Sequence, residues 1–141
     1  MIYIGCDHAG FELKEIIKNY LQENKYEVKD FGCYSNESVD YPDIIHPLAK
    51  EINENSELIG IIICGSGNGV SMTANKYSNV RVALAWNKEI AELGKLHNNA
   101  NILGLPARFI NIKEALECVK IFLNSEFEGG RHQRRVDKIK I

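Results

Sequence analysis

The stretch Ile61-Ile62-Ile63-Cys64-Gly65-Ser66-Gly67-Asn68-Gly69 constrains this chain more than any other. An unbroken apolar run reads as a strand buried on both faces, and such strands belong to parallel sheets covered by helices. Its abrupt end in three alternating glycines marks a tight loop, and the residues from Val70 toward Tyr77 read as the helix that follows. Glycines without a Cβ let backbone N–H groups converge on one point, and a helix N-terminus adds partial positive charge, so the loop suits an anion. Cys64 stands at the turn, where electropositive surroundings make a thiol reactive. The same pattern fits a glycine-rich strand-to-helix turn with a structural cysteine, since such turns recur in α/β proteins of unrelated function.

Around this stretch the chain repeats strand, turn and helix. Ile2 to Cys6 reads as a strand and Asp7-His8-Ala9-Gly10 as its turn. From Phe11 to about Lys25, Leu13, Ile16, Ile17, Tyr20 and Leu21 fall at helical spacing, which puts Lys14, Glu15, Lys18 and Asn19 on the solvent side. Val28 to Phe31 is a second strand, and Pro42 starts a helix buried through Ile44, Ile45, Leu48, Ala49 and Ile52. Beyond the central strand come a strand at Val80 to Ala85, a helix capped by Asn87 and running from Lys88 to about Leu96, and a strand at Ala100 to Gly104. Ile112 to Leu123 is the closing helix, followed by a basic tail from about Glu128 to Ile141. Five strands alternating with crossover helices predict an α/β domain over residues 1–141, its parallel sheet covered on both faces and its ligand at the carboxyl ends of the strands.

Composition narrows the class. A formal charge of −2 excludes nucleic-acid binding by bulk electrostatics, although basic residues gathered in the tail can still hold a small anion. No apolar run reaches membrane-spanning length and no leader pattern opens the chain, so a cytoplasmic protein without a membrane partner is expected. The four cysteines show no Cys-x-x-Cys pair, which predicts free thiols.

Each candidate group carries two readings on its own. Asp7-His8 directly follows a strand and can face a ligand, or Asp7 caps a helix beside a surface histidine. His97 is a general acid or base near neutral pH, or a partner for the helix C-terminus. Arg131 and Arg135 share a face if the tail is helical and with Arg108 can clamp a phosphate; otherwise they are simply solvated. His46, Tyr41 and Trp86 are assigned to structure and packing, with Trp86 near enough to a strand end to line a pocket. Spacing removes several sharper readings. A phosphatase loop needs arginine six positions after the cysteine, where Val70 stands; the glycine spacing is not that of a dinucleotide fingerprint; no Gly-Lys-Ser/Thr phosphate loop occurs; and metal-ligand spacings are absent, so no metal is expected.

Taken together, Gly5-Cys6-Asp7-His8-Ala9-Gly10-Phe11, Cys64 to Gly69, Ala74-Asn75-Lys76, His97-Asn98-Asn99-Ala100-Asn101 and Gly130-Arg131-His132-Gln133-Arg134-Arg135 resemble ribose-5-phosphate isomerases of the B type, across nearly the whole chain and in order. The resemblance implies a Rossmann-like α/β/α fold, metal-free aldose–ketose isomerisation without a cofactor, and homodimers or homotetramers with active sites at the subunit interface. It implies Cys64 as the base, Ser66 (threonine in much of the family) as a hydroxyl that relays a proton, and His97 as the ring opener. Asp7 and Asn98 would hold sugar hydroxyls, the loop Gly65, Ser66, Gly67, Asn68 and Gly69 the developing oxyanion, and His8, Arg108, Arg131 and Arg135 the phosphate. One branch of the family carries a glutamate base where Val70 stands here. Isomerisation of a hexose 6-phosphate, and sugar-phosphate binding without catalysis, are the competing expectations.

Overall fold

The computed structural model describes residues Met1–Ile141. Five strands, β1 (Ile2–Cys6), β2 (Val28–Asp30), β3 (Ile59–Cys64), β4 (Val82–Leu84) and β5 (Ile102–Pro106), form an all-parallel sheet in the order β2-β1-β3-β5-β4. A parallel neighbour is reached only by crossing over the sheet, so each strand is followed by a helix. These are α1 (Phe11–Glu23), α2 (Tyr41–Glu54), α3 (Asn68–Ala74), α4 (Lys88–Asn98) and α5 (Ile112–Asn124), and a short α6 (Arg131–Asp137) ends the chain.

The central strand β3 holds both helical layers. Ile61 and Ile63 pack with Leu13, Ile17 and Leu21 of α1 and with Val119 and Phe122 of α5. Ile62 faces the other way, against Ile45, Leu48 and Ile52 of α2 and Val70 of α3. Each fully buried isoleucine contributes roughly 1.5–3 kcal/mol, so the run that reads as a doubly buried strand is also what ties the layers together. The result is a three-layer, Rossmann-like α/β/α fold. No helix is long and apolar enough to cross a membrane, and all four cysteines are free thiols.

Three local expectations are corrected. Lys14 is not on the solvent side: its side chain is 0% exposed, and Nζ donates to both carboxylate oxygens of Asp30, at 2.9 and 2.8 Å, and to the Cys33 carbonyl. Helical periodicity cannot foresee a partner supplied by β2. The fourth and fifth strands begin two residues later than hydrophobicity suggests, because Asn101 bridges their entrances with its side chain, accepting from Arg81 N–H and donating to the Asn79 carbonyl. Finally, α4 runs through His97 and Asn98 to a left-handed Asn99 at φ 48°, so His97 lies within the last turn rather than beyond it.

The crossover from β1 through α1 and that from β3 through α3 lie on opposite faces and lead to opposite edges of the sheet. A crevice therefore opens between the carboxyl ends of β1 and β3.

Candidate active site

The crevice is a cleft of ≈ 420 Å³ whose walls include Asp7, His8, Tyr41, Cys64, Ser66 and Arg108. Asp7 does cap a turn, since its Oδ1 accepts from the N–H groups of Ala9 and Gly10 at 2.9 and 3.3 Å. That bond fixes the carboxyl at the cleft and leaves Oδ2 without a partner in the chain. His8 Nδ1 accepts the Val39 N–H at 3.3 Å, so a neutral ring carries its proton on Nε2 and offers the cleft a donor.

Cys64 is only 5% exposed, and its Sγ accepts the Gly67 N–H at 3.1 Å. Ser66 Oγ accepts the Asn68 N–H at 3.2 Å. The loop thus closes on itself, helped by Gly67 at φ 77°, where a Cβ would run into Leu84 Cδ1. This narrows the anion hole expected over the whole loop. The N–H groups of Gly67 and Asn68 are engaged internally, while those of Gly65, Ser66 and Gly69 have no partner in the chain.

Arg108 belongs to the same cleft. The Ala107 and Arg108 N–H groups donate to the Cys64 and Gly65 carbonyls at 2.8 and 3.0 Å, which carries the β3–β5 pairing into the loop. The guanidinium then lies against the Gly65 backbone, 3.2 Å from where a Cβ would stand. Tyr41 is more than packing, for it lines the cleft with its ring over Gly69; Trp86 is exposed and takes no part in the walls. The place of Tyr41 just before the helix-starting Pro42 is the only sequence signal that puts it at the carboxyl end of the sheet.

The remaining site candidates sit elsewhere. Because α4 runs back toward the amino ends of the strands, His97 and Asn98 lie at the opposite end of the sheet from Cys64, and α6 packs against α4 with exposed Arg131 and Arg135. One chain therefore brings Arg108 to the cleft but not the other two arginines. Asn98 opens onto a separate hollow of ≈ 290 Å³ beside Arg81. Arg81 fixes this helix end: Nε donates to the Asn98 and Asn99 carbonyls at 3.1 and 3.2 Å, and Nη2 to Asn99 at 3.0 Å. Glu128 N–H in turn donates to the Leu96 carbonyl.

Around His97 stand two groups of the tail, Glu128 and His132, to which the sequence assigned no role. The His132 ring stacks on His97 with centroids 4.2 Å apart and planes at 12°. The Glu128 carboxylate lies 3.8 Å from His97 Nε2 and 3.9 Å from His132 Nε2. Loss of solvent first, then the neighbouring His97 and Arg131, hold the His132 pKa below the usual histidine range.

Comparison with known proteins decides the family. The model of the family described as Ribose/Galactose Isomerase matches residues 2–139. The chain belongs to the ribose/galactose isomerase family. Among curated members, ribose-5-phosphate isomerase B of Escherichia coli (strain K12) is 38% identical over 138 residues, covering 98% of this chain and 93% of that one. Among solved members, ribose-5-phosphate isomerase B from Mycoplasma genitalium, with bound ribulose-5-phosphate, is 44% identical with a TM-score of 0.94 over 98% of this chain and 92% of that chain. The Thermotoga maritima isomerase is 49% identical with a TM-score of 0.95, over 99% and 96%. The chain is thus an aldose–ketose isomerase by family, with the fold of its solved members.

Proposed function

We propose that this chain interconverts ribose 5-phosphate and ribulose 5-phosphate, in an active site completed by a second copy of itself. The observation that carries the reading is the cleft in which a buried thiol, three unpaired loop N–H groups and an arginine meet. His97, from the partner copy, opens the furanose by taking the anomeric hydroxyl proton and returning one to the ring oxygen. Cys64, as thiolate, removes the proton from C2 of the open aldehyde, and the electron pair moves through the new C1–C2 double bond onto O1. The N–H groups of Gly65, Ser66 and Gly69 stabilise that enediolate oxyanion where charge develops, and Ser66 passes a proton between O2 and O1. Return of the proton from Cys64 to C1 gives the ketose. Asp7 and Asn98 hold hydroxyls, Gly67 and Asn68 keep the loop in shape, and His8, Arg108, Arg131 and Arg135 hold the phosphate.

Two halves of one site at opposite ends of a sheet support a homodimer in which each cleft faces the partner's α4 and α6, either alone or within a tetramer. Mixing tests this directly. Cys64→Ala and His97→Asn chains are each expected to be nearly inactive alone. Dissociated and reassociated in equal amounts, they should recover about a quarter of parental turnover, because half the dimers are mixed and each mixed dimer has one complete site of two. No recovery, in mixtures shown to contain mixed dimers, would place Cys64 and His97 of one chain in the same site and sink the shared arrangement.

Substrate choice is tested by turnover of the purified chain on ribose 5-phosphate, allose 6-phosphate and galactose 6-phosphate. The expected result is highest kcat/KM on ribose 5-phosphate. Preference for a hexose phosphate would keep the mechanism and change the substrate, and no turnover by folded dimer would leave sugar-phosphate binding alone.

A further inference from the structure

We propose that His97, Glu128 and His132 form a binding site for a zinc-like transition-metal ion, and that filling it stops turnover. One nitrogen from each imidazole and one carboxylate oxygen all lie within 4.8 Å of one another, and the carboxylate faces both rings, Oε1 at 3.8 Å from His97 Nε2 and Oε2 at 3.9 Å from His132 Nε2. Metal bonds of about 2.0–2.1 Å in a tetrahedral shell put ligand atoms roughly 3.3 Å apart, so the carboxylate must turn one oxygen toward both rings and the groups must close by up to about 1.5 Å. The two rings must do more, because stacked imidazoles have to splay before both lone pairs can meet one ion.

The surrounding chain allows that movement on one side and resists it on the other. His97 is held by Arg81, which grips the carbonyls that end α4. His132 is carried on α6 beyond Gly129 and Gly130, at φ 67° and 56°, and nothing stands within 4 Å of where their Cβ atoms would be. That pair of glycines lets Glu128 and the start of α6 adjust separately, around a fixed His97. In the single chain Glu128 is half exposed and His97 more than a third, and in the proposed dimer both face the partner's cleft, so an ion enters by the opening that admits substrate.

Two imidazoles and one carboxylate make a borderline nitrogen–oxygen donor set that suits Zn²⁺, Co²⁺ and Ni²⁺ and not the harder Mg²⁺ or Ca²⁺. Three protein ligands leave a fourth position for water. Arg131 and Arg135 lie close enough to act on His132 electrostatically, and they oppose a cation, which keeps binding reversible. A metal on His97 Nε2 takes the lone pair that ring opening needs. This inhibitory half rests on the role given to His97 above, whereas metal binding does not.

The full chain, stripped with EDTA, is titrated with Co²⁺ while visible d–d absorption is followed. Bands that saturate at one ion per chain, that Zn²⁺ abolishes and excess Mg²⁺ does not, are the expected result. They should persist in Cys64→Ser, which removes the only cleft thiol, and affinity should fall by about tenfold or more in His132→Asn and in Glu128→Gln. Glu128 is exposed enough that its variant folds even if the histidine variant does not. Absence of the bands, loss of them in Cys64→Ser, or unchanged affinity in Glu128→Gln would overturn the site. Zn²⁺ should also abolish turnover, with recovery on adding EDTA; saturation of the site without loss of ribose 5-phosphate turnover would overturn the inhibition and the role of His97 together, leaving the metal site standing.

Discussion

Cys64→Ala is expected to lower kcat by about 10²–10⁴-fold, the range over which a positioned proton-transfer group contributes to a rate. Binding should hold, because in the proposed site His8, Arg108, Arg131 and Arg135 hold the phosphate and Asp7 and Asn98 the sugar hydroxyls, and the substitution removes none of them. The sulfur has one structural duty, accepting the Gly67 N–H at 3.1 Å. Leaving that buried N–H without its acceptor costs about 1–3 kcal/mol. A rate loss of 10²–10⁴ corresponds to roughly 2.7–5.4 kcal/mol, so relaxation of the loop reaches only the low end of the range and a loss near 10⁴ requires removal of the base. The check is kcat and KM on ribose 5-phosphate beside calorimetric binding of a sugar phosphate. Both kcat and kcat/KM should fall together, the sign of an interaction made in the transition state. A kcat near the parental value would take Cys64 out of the proton transfer.

How much of this was legible in the sequence depended on whether the signal was local. The run Ile61 to Gly69 announced a buried strand, a loop and a helix, and all three stand in the structure because neighbouring residues alone decide apolar continuity and glycine turns. The Asn87 cap was equally local, and Asn87 Oδ1 does accept the Ile90 N–H. What failed to show was whatever joins residues distant in the chain. Asn101 reads as a strand residue until its side chain is seen spanning to Arg81 and Asn79. Glu128 and His132 read as tail until α6 folds back on α4. The separation of His97 from Cys64 was half visible, since His97 precedes a strand whereas Asp7, Cys64 and Arg108 follow one, and in a parallel sheet those are opposite ends. Lys14 misled most completely: amphipathic spacing gave it to solvent, and a carboxylate sixteen residues away put it in the core.

That buried pair sets the second large effect, on stability. Asp30→Asn should destabilise the fold by about 3 kcal/mol, near the lower end for breaking one partner of a buried ion pair. Lys14 keeps its full burial and its bond to the Cys33 carbonyl, but the facing group becomes a neutral amide that presents donors to an ammonium. The partly exposed Glu15 carboxylate, 3.5 Å from Nζ, moderates the loss. Lys14→Met should cost distinctly less, because the carboxylate left behind is 15% exposed and keeps Lys18 at 3.0 Å and the Gly32 N–H at 2.8 Å. The asymmetry follows from which charge can still reach water or a partner. Burial alone would push the Asp30 carboxyl up, yet Lys14, the Gly32 N–H and Lys18 outweigh it and hold its pKa below the ordinary carboxylate value. A carboxyl depressed on folding contributes stability that is fully present above its unfolded pKa and is lost as pH falls through the lower folded value. Urea midpoints should therefore drop for the parent as pH falls below about 4, with a shallower drop in Asp30→Asn, which has already lost that contribution. At neutral pH the thermal midpoint of Asp30→Asn should lie lower by about 10 °C. Equal losses for the two variants would mean that the packing of the lysine stem, and not its charge, holds α1 to β2.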